Sequence, residues 1–257
     1  MLNYIKAELY RTFNRKYFYF FTGILAVLAL GLNILLKLVG TKDNVTLINA
    51  IALPVTDYLL LFPILLLVMI VDMIYTEEYK NGTLKNVVSF GMSRSKLVFG
   101  KFIAIIILAF IAYFFVLITF FVSSAVIFGI GHYSNRISPI TYFNIIATRY
   151  CAGILLWVAV IAVSLLVSIF VNSYNTFIYS YIGIFLILPI AINLLSRIID
   201  KNIAKINYFL ITGCISLVST YNGVDKGDVF WAIAVGLVYI VVCLSLSVVW
   251  FSKKDVK

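Results

Sequence analysis

Charge is scarce in this chain. Only 12% of its 257 residues are Asp, Glu, Lys or Arg, against roughly 25% in a soluble domain. With 63% hydrophobic residues and a mean hydropathy of +1.10, the chain has too little polar surface to cover a core in water. A bilayer must therefore solvate much of it. Histidine occurs once, as His132, which excludes two-histidine metal sites and argues against a catalytic triad. The three cysteines, Cys151, Cys214 and Cys243, are odd in number and lack metal-ligand spacing. They read as small packing residues without a disulfide framework. No internal repeat, low-complexity linker or Pro/Gly-rich boundary divides the sequence, so 1–257 reads as one domain. The net charge of +10 does not point to nucleic acid, because the basic residues are dispersed and gather at the ends of apolar runs.

What the chain has in plenty is long apolar runs. A hydrocarbon core about 30 Å thick takes roughly 20 residues of helix. Inside it each backbone donor and acceptor must be paired within its own segment, so the runs read as helices. Six qualify, at about 17–36, 51–74, 102–130, 145–171, 177–195 and 229–251. The expected fold class is thus an all-α membrane protein with six transmembrane helices. Arg15 and Lys16 before the first run raise the question of a signal peptide. Its apolar core is too long for one and no small-x-small pattern follows, so it reads as an uncleaved span.

The segment 1–16 carries Leu2, Ile5, Leu9 and Phe13 at spacings of three and four, with Lys6, Arg11 and Arg15 largely elsewhere. That pattern predicts an amphipathic helix lying in the interface. Placing both termini in the cytoplasm puts twelve of the twenty Lys and Arg inside. The bias is strongest at the first span and in the loop after the second. The fourth and fifth spans are joined by the short uncharged turn 172–175. The stretch 206–221 is apolar but short, interrupted by Gly213 and dotted with Asn207, Thr212 and Ser216. It reads as one or two short helices at, or dipping into, the external face: either an interfacial loop or a lid over an exit path.

The loop between the second and third spans is the most informative. It contains Glu77, Glu78, then Gly82-Thr83-Leu84-Lys85, then Ser93-Arg94 and Gly100-Lys101. Gly82-Thr83 permits a sharp turn and a helix start, and Leu84, Val87 and Val88 make an apolar stripe suited to a partner's groove. In this order the residues resemble the transmembrane subunits of type-2 ATP-binding-cassette exporters. There an acidic residue, Gly-Thr-Leu, a Ser-Arg pair and a Gly-Lys precede the third span. The layout of the whole chain is similar too.

The resemblance implies a cytoplasmic coupling helix in this loop and short external helices before the sixth span. It also implies a separate ATPase subunit in two copies, carrying ATP and Mg, and a second permease, identical or homologous. Glu77, Glu78, Gly82, Thr83, Leu84 and Lys85 would contact the ATPase, together with Arg94. Arg94, Lys96 and Lys101 also read simply as anchors at phospholipid headgroups. For small members the resemblance suggests export of antimicrobial peptides, or immunity to them, at a bacterial cell membrane, with drug or sodium efflux open. This chain lacks the phosphate-binding loop of an ATPase: Ser95 stands five positions before Gly100, and Phe102 follows Lys101. No catalytic residue is assigned.

Ionisable groups within apolar runs need a reason. Asp57 near the outer end of the second run and Arg149 near that of the fourth lie at similar depth. They are candidates for an ion pair or, with Asn193, for a translocation path or gate; simple reach to the interface is the plainer reading. Asn33, Thr119, Ser123, Ser124, Ser164, Ser168 and Asn193 suit hydrogen bonds between helices or, with less weight, the lining of a translocation path. Pro54, Pro63 and Pro189 suggest kinks. An ion-gradient-driven transporter is the competing class. It is disfavoured because broken helices and buried ionisable groups are not evident in the sequence.

Overall fold

The computed structural model describes residues 1–39, 64–76, 92–128, 139–171, 173–221, 223–224 and 226–253. Among these residues the chain is almost entirely helical, and no strand occurs. In chain order the elements are α1 (Leu2–Phe13), α2 (Lys16–Val39), α3 (Ile64–Tyr75), α4 (Arg94–Phe128) and α5 (Pro139–Phe170). Then come α6 (Tyr174–Ile182, Gly183–Ile187 and Leu188–Ile198 in succession), a 3-10 helix (Lys201–Phe209), α7 (Ile211–Ser219) and α8 (Lys226–Lys253).

Five helices are long and apolar enough to cross a membrane: α2, α4, α5, α6 and α8. The 3-10 helix and α7 would make a sixth if counted as one broken span; they meet at 93°. Of the expected second span, the described part is the 12-residue α3, whose last turn, Asp72–Thr76, is π-helical. Asp57, Pro54 and Pro63 lie outside the described residues.

The helices overrun the apolar runs for local reasons. α4 begins at Arg94, eight residues before the run at 102, because Leu97 and Val98 are buried against the bundle and backbone pairing continues through the polar turn. The Leu97 amide closes the first turn on the Ser93 carbonyl. In α6, Pro189 supplies no N–H and its ring would collide with the carbonyl at 185 in regular α-helix. The turn Gly183–Ile187 widens to a π-helix there, and the element continues to Ile198 as one span.

α5 and α8 pack together over much of their length, and α2 lies along α4. The α2–α4 seam is held by Asn33, fully buried, whose Nδ2 donates to the Phe120 carbonyl at 3.0 Å and to Ser123 Oγ at 2.7 Å. Such cross-helix bonds substitute for a hydrophobic drive that lipid does not supply. The Tyr181 hydroxyl donates to the Ile64 carbonyl and joins α6 to the start of α3. Cys214 and Cys243 are buried packing residues, while Cys151 is exposed.

Candidate functional site

One end of the bundle is charged. α1 turns Ile5, Glu8 and Thr12 inward and packs chiefly on α4. Leu9 and Phe13 also face the core, whereas Leu2, expected on the same stripe, is 74% exposed. Glu8 takes its place. It is 3% exposed, with Oε2 2.6 Å from Arg11 Nη2 and Oε1 3.5 Å from Lys101 Nζ.

Lys101 is therefore no headgroup anchor. It is completely buried, its ammonium donates to the Ile74 carbonyl, and the Tyr75 ring lies 5.7 Å away. That carbonyl sits in the π-helical turn of α3. A buried ammonium is tolerable only with a counter-ion and acceptors around it, and α1 and α3 provide them.

Gly100 completes the arrangement. A Cβ there would lie 2.8 Å from the Tyr4 ring, so α1 seats against α4 because Gly100 has no side chain. Burial, with Glu8 beside it, pushes the Tyr4 phenol well above its ordinary pKa. Partial burial lowers that of Arg15, and Arg11 adds to the effect.

Arg94 ties in the last helix. Its Nη1 donates to the carbonyls of Phe251 at 3.2 Å and Ser252 at 2.7 Å, capping the C-terminal turn of α8 with a cation. Ile74, Lys101, Glu8, Arg94 and Ser252 thus join α1, α3, α4 and α8 at one end. The residues Glu77, Glu78, Gly82, Thr83, Leu84 and Lys85 lie outside the described residues, but Tyr75 and Arg94, on either side of them, both belong to this end.

Away from this end is a cavity of about 620 Å³, bounded by α2, α3, α6, the 3-10 helix and α7. Its wall is mainly apolar, with Leu32, Ile64 and Pro189 among the lining residues. The polar part is concentrated in Asn193, Asn207, Thr212 and Ser216. Asn193 Oδ1 accepts from Asn207 Nδ2 at 2.6 Å, joining α6 to the 3-10 helix. Thr212 and Ser216 lie one turn apart on α7, on one face.

The corner between the 3-10 helix and α7 is built on Gly213. A Cβ at that position would come within 1.8 Å of the Asn207 carbonyl oxygen, so no other residue fits without moving backbone. Trp231 Nε1 and the Tyr239 hydroxyl, both on α8, donate to the Tyr208 and Phe209 carbonyls at 3.0 and 3.2 Å. These carbonyls are freed where the helix breaks at Leu210.

Arg149 does not line the cavity. It is 2% exposed on α5, and its Nε donates to the Tyr221 carbonyl at 2.8 Å, fastening the α7–α8 connection to α5. Gly223 follows at φ +89°, a backbone state that favours glycine. Of the three residues singled out for a path or gate, then, Asn193 lines the cavity, Arg149 braces the connection, and Asp57 is outside the described residues.

Among the described residues no group of three or more His, Cys, Asp or Glu comes together, so they build no metal centre. The sequence reading missed Glu8, although a signal was present. It is the only acid in the first 42 residues, and Lys6, Arg11, Arg15 and Lys16 surround it.

Several long apolar helices around a continuous core define a multi-pass membrane protein. The chain belongs to the family described as protein of unknown function (DUF2705), whose family model matches residues 36–257. No curated protein matches it.

Proposed function

We propose that this chain is the transmembrane subunit of an ATP-driven exporter of the type-2 ATP-binding-cassette kind. A separate ATPase subunit binds ATP and Mg, and this chain hydrolyses nothing. The observation that supports the reading most is the role of Gly100 and Lys101. These residues close the motif-bearing stretch, and they are the ones that receive α1, Gly100 by making room for Tyr4 and Lys101 by pairing with Glu8. A push delivered around Gly82–Lys85 has a route into α1, α3 and α4 through the buried Glu8–Lys101–Ile74 contacts, and into α8 through the partly exposed bonds of Arg94. In this reading the charged end and both termini face the cytoplasm of a bacterial cell. Two permease copies, identical or homologous, frame the path.

The cavity beside α6 supports a cargo that is amphipathic and uncharged where it touches. Its wall is mainly apolar, and among the described residues its polar groups are amides and hydroxyls without a charged side chain. Peptides of antimicrobial type, drugs and lipid-like molecules share that chemistry.

The bend at Leu210 is a feature that ion-coupled transporters also use. There, ionisable groups gather at the break. Here the buried ionisable residues Glu8, Lys101 and Arg149 lie elsewhere, and Asp200 only caps the exposed start of the 3-10 helix.

Tagging the chain and solubilising it gently is expected to recover a soluble ATPase subunit, and Glu78→Lys is expected to lower that recovery. Recovery of the intact chain with no nucleotide-binding partner would contradict the reading.

A further inference from the structure

A second concavity, of about 420 Å³, lies between α4 and α5, away from the Asn193 cavity and from the charged end. Its wall is aromatic and aliphatic: Phe110, Phe114 and Leu117 from α4 face Tyr150, Ile154 and Trp157 from α5. On α5 the three residues fall at spacings of four and three, so they form one stripe along the helix. Phe114 and Ile154 are exposed at its mouth, at 64% and 37%, while Trp157 is 5% exposed at its floor. The Tyr113 ring holds Trp157 in place, edge-on with centroids 4.2 Å apart. The groove is therefore preformed, and it opens outward.

One polar atom is out of keeping with this wall. The Tyr150 hydroxyl is buried and has no hydrogen-bond partner among the described residues. A phenol left so in an apolar setting costs about 1–3 kcal/mol; the hydroxyl is closed off in this conformation, and a turn of its ring, which lines the groove, offers its one donor to whatever enters.

Its depth identifies the acceptor. The apolar stretch of α5 begins at Asn144, so the Tyr150 backbone lies about 9 Å along the helix at roughly 1.5 Å per residue. Side chains in a helix lean toward its N-terminus, which carries the hydroxyl back toward that end of the span. This is the level at which the hydrocarbon core of about 30 Å gives way to headgroups. Acyl ester carbonyls lie at that level, and tyrosine is enriched there.

The geometry points to a bound bilayer phospholipid. One acyl chain lies in the groove between α4 and α5, over Ile154 and Trp157, and its ester carbonyl accepts the hydrogen bond from Tyr150. Binding is non-covalent and independent of the transport reading. The site takes a chain with an acceptor at its head, in preference to a plain hydrocarbon.

The test uses the full chain with Trp231→Phe and Trp250→Phe, which leaves Trp157 as the sole indole of the three. It is reconstituted in phosphatidylcholine vesicles containing a small known fraction of phosphatidylcholine with brominated acyl chains. Quenching of Trp157 is expected to exceed that mole fraction severalfold. Tyr150→Phe is expected to return it to the mole fraction with no fall in Tm, because the lost hydroxyl bonds to nothing among the described residues. Ile154→Phe, which fills the groove, is expected to lower quenching as well. Native mass spectrometry of the chain with all its tryptophans should show one retained phospholipid that Tyr150→Phe loses. Quenching no greater than the mole fraction overturns the proposal, as does retention indifferent to Tyr150→Phe. A cysteine cross-link from position 114 to a second copy of the chain, placing protein in the groove, overturns it too.

Discussion

The charged end and the corner at Gly213 solve the same problem by opposite means. Both hold short elements against long apolar helices. At the charged end α1 is fixed by ions: Glu8 between Arg11 and Lys101, and Arg94 on the last carbonyls of α8. At the corner, the 3-10 helix and α7 are fixed by neutral hydrogen bonds from Trp231 and Tyr239, by the Asn193–Asn207 amide pair, and by the missing side chain of Gly213. A buried charge that loses its partner is far more costly than a dipole that loses one. The ionic end should therefore move as a unit or not at all, while the corner can rearrange bond by bond. That division suits a protein in which one end receives force and another region adapts to a cargo.

The comparison can be broken most severely at the corner's one non-negotiable contact. Gly213→Val forces a side chain into the Asn207 backbone. It is expected to destabilise by more than the usual range of about 0.5–3 kcal/mol, read as loss of a monodisperse peak on size-exclusion chromatography. Next comes Lys101→Met, which removes the fully buried one of the two cations on Glu8 and the donor to the Ile74 carbonyl, leaving Arg11. A drop of about 3–5 kcal/mol is expected, and limited proteolysis should then cut within α1 first. Glu8→Gln combined with Lys101→Met should be milder than Lys101→Met alone, because the carboxylate, then held by Arg11 alone, no longer faces the space the ammonium has left. A double variant worse than the single would show that the pair is not the unit.

Arg149→Gln tests a cation outside the charged end that braces a connection. Losing a charged bond to the Tyr221 carbonyl should cost about 1.5–3 kcal/mol and release the α7–α8 connection, visible as faster hydrogen exchange around 219–224. Asn33→Ala gives the smallest effect, about 1 kcal/mol by loss of its bonds to Phe120 and Ser123. It is read as a slight fall in Tm and no change in α1 protection.

The sequence made the long helices legible because apolar length alone specifies them in lipid, and where both ends are described they start and stop within about three residues of the runs, apart from the early starts of α4 at Arg94 and α5 at Pro139. It also marked 206–221 as one or two short helices, because Gly213 and the polar residues there interrupt an apolar run that is already short. It did not reveal that Glu8 faces inward. Apolar periodicity weighs Leu2 and ignores an acid on the same face, and the partner that makes burial tolerable, Lys101, is 93 residues away. Lys101 was misread for the same reason, because a lysine beside an apolar run looks like an anchor until its counter-ion is known. The cavity at Asn193 depends on which helices meet, and spacing along one chain does not carry that information.

In the proposed function the stretch between Tyr75 and Arg94 passes force from an ATPase into the charged end. The most direct measurement is a photo-crosslinker placed at Leu84 in living cells. The account predicts one dominant adduct with a soluble protein that a photoreactive ATP analogue also labels. Adducts confined to lipid, or labelling of the same position by a membrane-impermeant reagent added from outside, would contradict it.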